Sequence, residues 1–195
     1  MNPARAALLV IDVQRGFDDP FWGPRNNLDA EANIARIIAA WRESGRPVFH
    51  ILHDSTSASS PLHAGQAGNL PKPEAEPHGD EPVYRKAVNS AFIGTSLEAN
   101  LRNARIDTLV TVGLTTNHCV STTVRMAGNL GFQTYLVSDA TATFDRLGID
   151  GRTRPAAEVH AAALSDLQDE FATLIRTEEM IASLSGFNTA NGVQG

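Results

Sequence analysis

Cysteine is almost missing from the chain: Cys119 is the single one among 195 residues. A lone thiol excludes an internal disulfide framework and points to a reducing, cytoplasmic setting. Positive charge is also scarce. Lys plus Arg number 16 against 22 Asp plus Glu, a net charge of −6, and the pI near 5.4 offers no basic field for a phosphate backbone. Nucleic acid is therefore not an expected partner. Long apolar runs are lacking as well. The uncharged stretch 108–124 is broken by Thr, Asn, His and Ser, so neither a spanning helix nor a membrane partner is expected. The run 6–11 is short and ends at Asp12, unlike a secretory signal.

An apolar fraction of 42% with 19% charged residues suits a folded chain, and the length suits one domain, taken as residues 1–187 followed by a frayed tail over 188–195. Residues 6–13 form a continuous apolar run with one acid near its end, the mark of a strand buried on both faces of a parallel sheet. In 29–44, Ile34, Ile37, Ile38 and Trp41 fall on one helical stripe, and Gly45 follows. Further strands are expected at 47–53, 82–86, 107–114, 132–138 and 172–177. Helices are expected at 95–104, where Thr95 and Glu98 have capping-box spacing, and at 117–130, 155–171 and 178–184. Residues 54–80 form a long stretch rich in Ser, Pro, Gly and His, a candidate lid or contact surface. Strands alternating with helices imply an α/β fold, a parallel sheet covered on both faces, in a single domain.

Sites in such sheets form beyond the carboxyl ends of the strands. Asp12 and Gln14 follow the first strand, His53 and Asp54 the second, Lys86 the third and Cys119 the fourth, so an acid, a lysine and the only cysteine converge on one edge. Each has two readings. Cys119, near a helix start, is either a thiol made acidic by the helix terminus or a buried, inert residue. Asp12 is either a base beside a nucleophile or a loop cap. Lys86 is either a partner for the charged pair or a surface residue. His118 adjoins the thiol. His53, His63 and His78 match no compact metal-ligand spacing. No dinucleotide fingerprint follows the first strand, and no cofactor is expected.

The pieces Leu8-Leu9-Val10-Ile11-Asp12-Val13-Gln14, Lys86 with Ser90-Ala91-Phe92 and Gly94-Thr95-Ser96-Leu97, Gly113-Leu114-Thr115-Thr116-Asn117-His118-Cys119-Val120, and Ser138-Asp139-Ala140 occur in this order. Together they resemble the isochorismatase-like cysteine hydrolase superfamily, from the first strand to about residue 145. The resemblance implies a Rossmann-like three-layer αβα sandwich with about six parallel strands. It implies a catalytic triad of Asp12, Lys86 and Cys119, an oxyanion hole from the backbone N–H groups of Thr115 and Cys119, and a cis peptide at Leu114–Thr115. It also implies a homo-oligomer, dimer or tetramer. Members that hydrolyse nicotinamide carry an Asp-x-His start to a metal site after the second strand. Here that stretch reads His53-Asp54-Ser55, with Ser55 where the first histidine ligand stands, so no metal is carried over.

Candidate substrate contacts are Gln14, Phe17, Phe21, Trp22 and Phe92, with Asn117 and His118 beside the thiol. The leading expectation is an amidohydrolase acting on a small molecule through a Cys119 thioester. One alternative is an isochorismatase-type vinyl-ether hydrolase using Asp12 as acid. The other is a non-catalytic small-molecule binding protein on the same fold.

Overall fold

The computed structural model describes residues 5–188, with side chains as far as 184. In chain order the strands are β1 (Ala6–Ile11), β2 (Val48–His53), β3 (Val83–Lys86), β4 (Thr108–Leu114), β5 (Gln133–Ala142), β6 (Arg146–Leu147), β7 (Thr153–Arg154) and β8 (Thr173–Ile175). The helices are α1 (Ala30–Glu43), α2 (Leu97–Asn103), α3 (Ser121–Asn129), α4 (Ala156–Ser165) and α5 (Thr177–Asn188).

β1 is buried at every position, and its alternate side chains serve opposite faces. Ala7, Leu9 and Ile11 pack with Leu97 and Leu101 of α2 and with Val124 and Ala127 of α3. Ala6, Leu8 and Val10 pack with Ile34, Ile37, Ile38 and Trp41 of α1 and with Met180 and Leu184 of α5. This two-sided demand explains the unbroken apolar run in the sequence. The sheet has six strands in the order β3-β2-β1-β4-β5-β8, every neighbour parallel, between two helical layers. β6 and β7 form a separate antiparallel pair. Among the described residues no helix is long and apolar enough to cross a membrane.

Several boundaries differ from the sequence expectation. β5 runs on to Ala142 and does not stop at Ser138, because Ser138 and Asp139 find polar partners. The Asn27 side-chain amide donates to the carbonyls of Ser138 and Thr141, and Asp139 Oδ1 accepts from the backbone and hydroxyl of Thr177. The capping box does not form. Thr95 Oγ1 donates to the Ala91 carbonyl, Glu98 pairs with Arg102, and α2 begins at Leu97. α4 ends at Ser165, six residues short of expectation, as the chain turns through Asp169 at φ +64°. The last helix begins at Thr177 and extends to Asn188, and the rest of the expected tail lies outside the described residues.

The stretch 54–80, the candidate lid or contact surface, is anchored at several points. Leu62, Asn69, Lys72 and Ala75 are buried, and Lys72 Nζ reaches Glu31 Oε1 at 2.7 Å. Burial pushes the Glu31 carboxyl up, but the hydrogen bonds and charges of Arg25 and Lys72 outweigh it and hold the group below its ordinary value.

Two predictions concern this framework. At Gly113, φ is +126° and an added Cβ would lie 2.0 Å from the Ile11 carbonyl oxygen. Gly113→Ala is expected to destabilise the fold by roughly 1–3 kcal/mol or more through overpacking, read by urea unfolding. The second concerns Glu81, which binds Arg42 of α1 at 2.7 and 2.8 Å and His50 of β2 at 2.8 Å. Burial raises its carboxyl, but the hydrogen bonds from Arg42, the His78 backbone and His50 prevail and bring it to about 2 from an ordinary 4.5. A depressed folded-state value stabilises above the unfolded value. The advantage of the native chain over Glu81→Gln should therefore be full above about pH 4.5 and vanish towards pH 2 in unfolding midpoints measured against pH.

Candidate active site

The strand order reverses between β1 and β4, whose connections leave in opposite directions and open a crevice at their carboxyl ends. Asp12 lies at the end of β1, fully buried, with φ +52°, and its N–H donates to the Ile51 carbonyl at 2.8 Å. Lys86, the last residue of β3, sends its ammonium across β2 to Asp12 Oδ2 at 2.7 Å, both side chains fully buried. The other carboxylate oxygen, Oδ1, is buried and has no hydrogen-bond partner among the described residues.

After β4 the Leu114–Thr115 bond is cis, and Thr116–Val120 makes a single π turn that runs into α3. Cys119 lies in this turn. His160 of α4 braces it, with Nδ1 2.9 Å from Thr116 Oγ1. A carboxylate oxygen of Asp12, a ring nitrogen of His53 and Cys119 Sγ all lie within 4.8 Å of one another. The neutral Asn89 Oδ1, 3.8 Å from Sγ, is a long, weak acceptor for the thiol, so the charged Asp12 is the stronger proton acceptor at hand.

The structure corrects the expectation of an acidic thiol. Burial raises the Cys119 value well above that of a free cysteine, the Asp12 carboxylate raises it further, and Lys86 opposes both without overcoming them. The resting site is therefore a thiol beside a carboxylate–ammonium pair. His53 is held neutral, chiefly by burial and then by the Lys86 charge, and its Nδ1 lies 3.2 Å from Lys86 Nζ as an acceptor.

A cavity of about 400 Å³ opens above these groups, lined by Asp12, His53, Asn89, Thr115, His118 and Cys119. Its apolar wall is an aromatic cluster. Phe17 and Trp22 have ring centroids 5.1 Å apart, Trp22 and Phe144 5.7 Å, and Phe21 meets Trp22 edge-on at 5.1 Å. The indole N–H of Trp22 donates to the Gly16 carbonyl at 2.7 Å and fixes the ring.

Thus Phe17, Phe21, Trp22, Thr115 and His118 line the cavity, whereas three expected contacts do not. Gln14 is fully buried and works as a strut. Its amide donates to the carbonyls of His53 and Asn69 and accepts from the His53 N–H. Phe92 stacks on Phe132 at 6.0 Å in the core, where Ser90, Ala91 and Phe92 are all buried. Asn117 faces α4 and accepts from Thr143 Oγ1 at 2.5 Å, so it holds a wall residue from behind. The sequence reasoning missed Asn89, Leu62, Phe144 and Arg146 as cavity residues. Asn89 had a signal in its place three residues past Lys86. Phe144 and Arg146 were hidden by ending β5 too early.

The residues after β2 do not fit the divalent metal of the nicotinamide-hydrolysing branch. His53 faces the Lys86 ammonium, and Asp54 is occupied by Arg85 at 2.6 Å and Asn69 at 3.0 Å. The Asp12, His53 and Cys119 group already holds that ammonium 2.7 Å from Asp12, and a dication would meet it as a like charge.

The parallel six-stranded sheet thus brings an acid, a lysine and a cysteine together at its switch point. The Isochorismatase domain profile matches residues 6–179. The isochorismatase family protein YrdC of Bacillus subtilis is 48% identical over 177 residues, 91% of this chain and 95% of the relative. A solved isochorismatase-family structure from Chromobacterium violaceum superposes with a TM-score of 0.92 at 45% identity, covering 95% of this chain and 96% of the other. Nicotinamidase 3 of Arabidopsis thaliana is 29% identical over 198 residues, 95% of this chain and 91% of that protein. The chain belongs to the isochorismatase family and is an isochorismatase-family hydrolase.

The buried pair generates a prediction. Lys86→Met keeps most of the volume but strands the Asp12 carboxylate, and should destabilise the fold by about 3–5 kcal/mol in urea unfolding at neutral pH. The double variant Asp12→Asn, Lys86→Met should recover part of that loss.

Proposed function

We propose that this protein hydrolyses a small-molecule amide through a thioester on Cys119. The observation that carries the reading is the buried Asp12 carboxylate, held by Lys86 through Oδ2 and with an oxygen within 4.8 Å of a protonated thiol. Asp12 takes the thiol proton as Sγ bonds to the amide carbonyl carbon. The carbonyl oxygen becomes an oxyanion, for which the backbone N–H groups of Thr115 and Cys119 are the assigned donors. The C–N bond then breaks, Asp12 returns the proton to nitrogen, and ammonia or an amine leaves. Water attacks the thioester with Asp12 again as base, releasing a carboxylic acid and restoring the thiol. Lys86 keeps Asp12 charged between steps and fixes the carboxylate plane. The name nicotinamidase, borne by one relative, denotes amide cleavage and supports the class, while the poor fit to a metal argues against that substrate.

Turnover of a small amide panel tests this reading. Cys119→Ala and Asp12→Asn should each lower kcat by roughly 10⁴-fold or more, since removing one member of a cooperating set disables it. Substantial activity in Cys119→Ala with loss in Asp12→Asn would favour vinyl-ether hydrolysis by protonation. No turnover by the native chain, with a folded protein, would favour a binding role.

A further inference from the structure

The mouth of the cavity holds an arginine that the thioester chemistry does not use, in the same lining as the Asp145 carboxylate. Asp12 is answered by Lys86 at 2.7 Å. Asp145 caps α4, its Oδ1 accepting from the Ala156 N–H at 2.7 Å. His118 is held neutral, by burial first and by the nearby Arg146 second, and His53 is neutral too. Arg146 itself lines the mouth of the cavity and is exposed. Its cross-strand partner on β7 is Arg154, and that second arginine is satisfied by Asp150 at 2.8 Å. Among the described residues Arg146 has no ion pair or side-chain hydrogen bond, although a like charge stands opposite it. An arginine kept beside another arginine and aimed over a substrate cavity calls for an anion.

Resting on the amide reading above, we propose that the substrate carries a carboxylate as well as the scissile amide. Arg146 binds the carboxylate at the mouth, and the Phe17, Trp22 and Phe144 wall takes the apolar body between the two groups. The guanidinium matches a carboxylate in a two-point fork, so the residue sets which amides are accepted and at what distance from the thiol they present their carbonyl. The aromatic wall adds contact area without charge. A substrate of this kind spans from the buried floor, where Asp12 is fully covered, to the exposed rim. Arg146 is a specificity-determining residue in this account and takes no part in bond cleavage.

The test reads occupancy separately from turnover. Iodoacetamide alkylates Cys119, the only thiol, and any molecule lying in the cavity slows that reaction. Succinamate is compared with succinamide, and terephthalamate with benzamide, by the concentration that halves the initial alkylation rate. In the native chain each acid should protect at about tenfold lower concentration than its uncharged counterpart, as expected for a charge-assisted pair. Arg146→Gln should remove that preference, so that acid and neutral amide protect at similar concentrations, and Arg146→Lys should fall between. Equal protection by acid and neutral amide in the native chain, or a preference that survives in Arg146→Gln, overturns the proposal. An Arg146-dependent preference with no hydrolysis of any amide would support the anion subsite while defeating the amide reading. Hydrolysis without the preference would do the reverse.

Discussion

The buried contact between Asp12 and Lys86, 2.7 Å long with both side chains fully covered, is the constraint around which the site is arranged. Removing two charges from water is expensive, and hydrophobic residues of similar shape would often be at least as stabilising. The pair therefore reads as a functional feature of the fold. It has a direct chemical consequence. With Oδ2 engaged, Asp12 cannot rotate freely, and its carboxylate stays within 4.8 Å of a thiol that burial keeps protonated. In the proposed mechanism the lysine supplies the charge that lets a carboxylate persist in the core, and the carboxylate supplies the base that a buried thiol needs.

The rest of the structure serves that geometry at increasing distance. Gly113 lets β4 lie against β1, which brings the π turn with Cys119 alongside Asp12. Gln14 and Asn69 bond the backbone at His53 and so fix the end of β2 between Asp12 and Lys86. On the outer side, Glu31 gathers Arg25 and Lys72, Arg25 packs over the Phe144 ring at 5.9 Å, and Lys72 ties Asp18 next to Phe17. The aromatic wall is thereby held by a partly buried ionic cluster on the surface of α1, remote from the chemistry. The floor is polar and committed, while the wall is apolar.

Much of this was legible in the chain because it depends on patterns that burial enforces. The continuous apolar runs of β1 and β4 announced a parallel sheet, and the chemistry-bearing residues Asp12, Lys86 and Cys119 each stood at or past the carboxyl end of a strand. Local sequence misled where a polar residue had a distant partner. Ser138 and Asp139 looked like a strand end, but Asn27 and Thr177 satisfy them from more than thirty residues away, and with β5 cut short the wall residue Phe144 and the rim residue Arg146 fell out of view. Gln14, Phe92 and Asn117 stood at site-like positions, yet their side chains turned to the framework, a direction that no spacing records. The thiol's acidity was misjudged for a related reason. A helix start favours a thiolate, but burial against a carboxylate acts more strongly in the opposite sense.

The central claim is that Asp12 takes the proton of Cys119 when the sulfur attacks an acyl carbon. Its most direct test is pre-steady-state acylation by p-nitrophenyl acetate at neutral pH, with the acetyl group located by peptide mass. The native chain should give a burst of p-nitrophenol with acetyl on Cys119. Asp12→Asn should give no burst, although its thiol remains countable in the unfolded protein. An Asp12→Asn variant that acylates Cys119 as fast as the native chain would contradict the account.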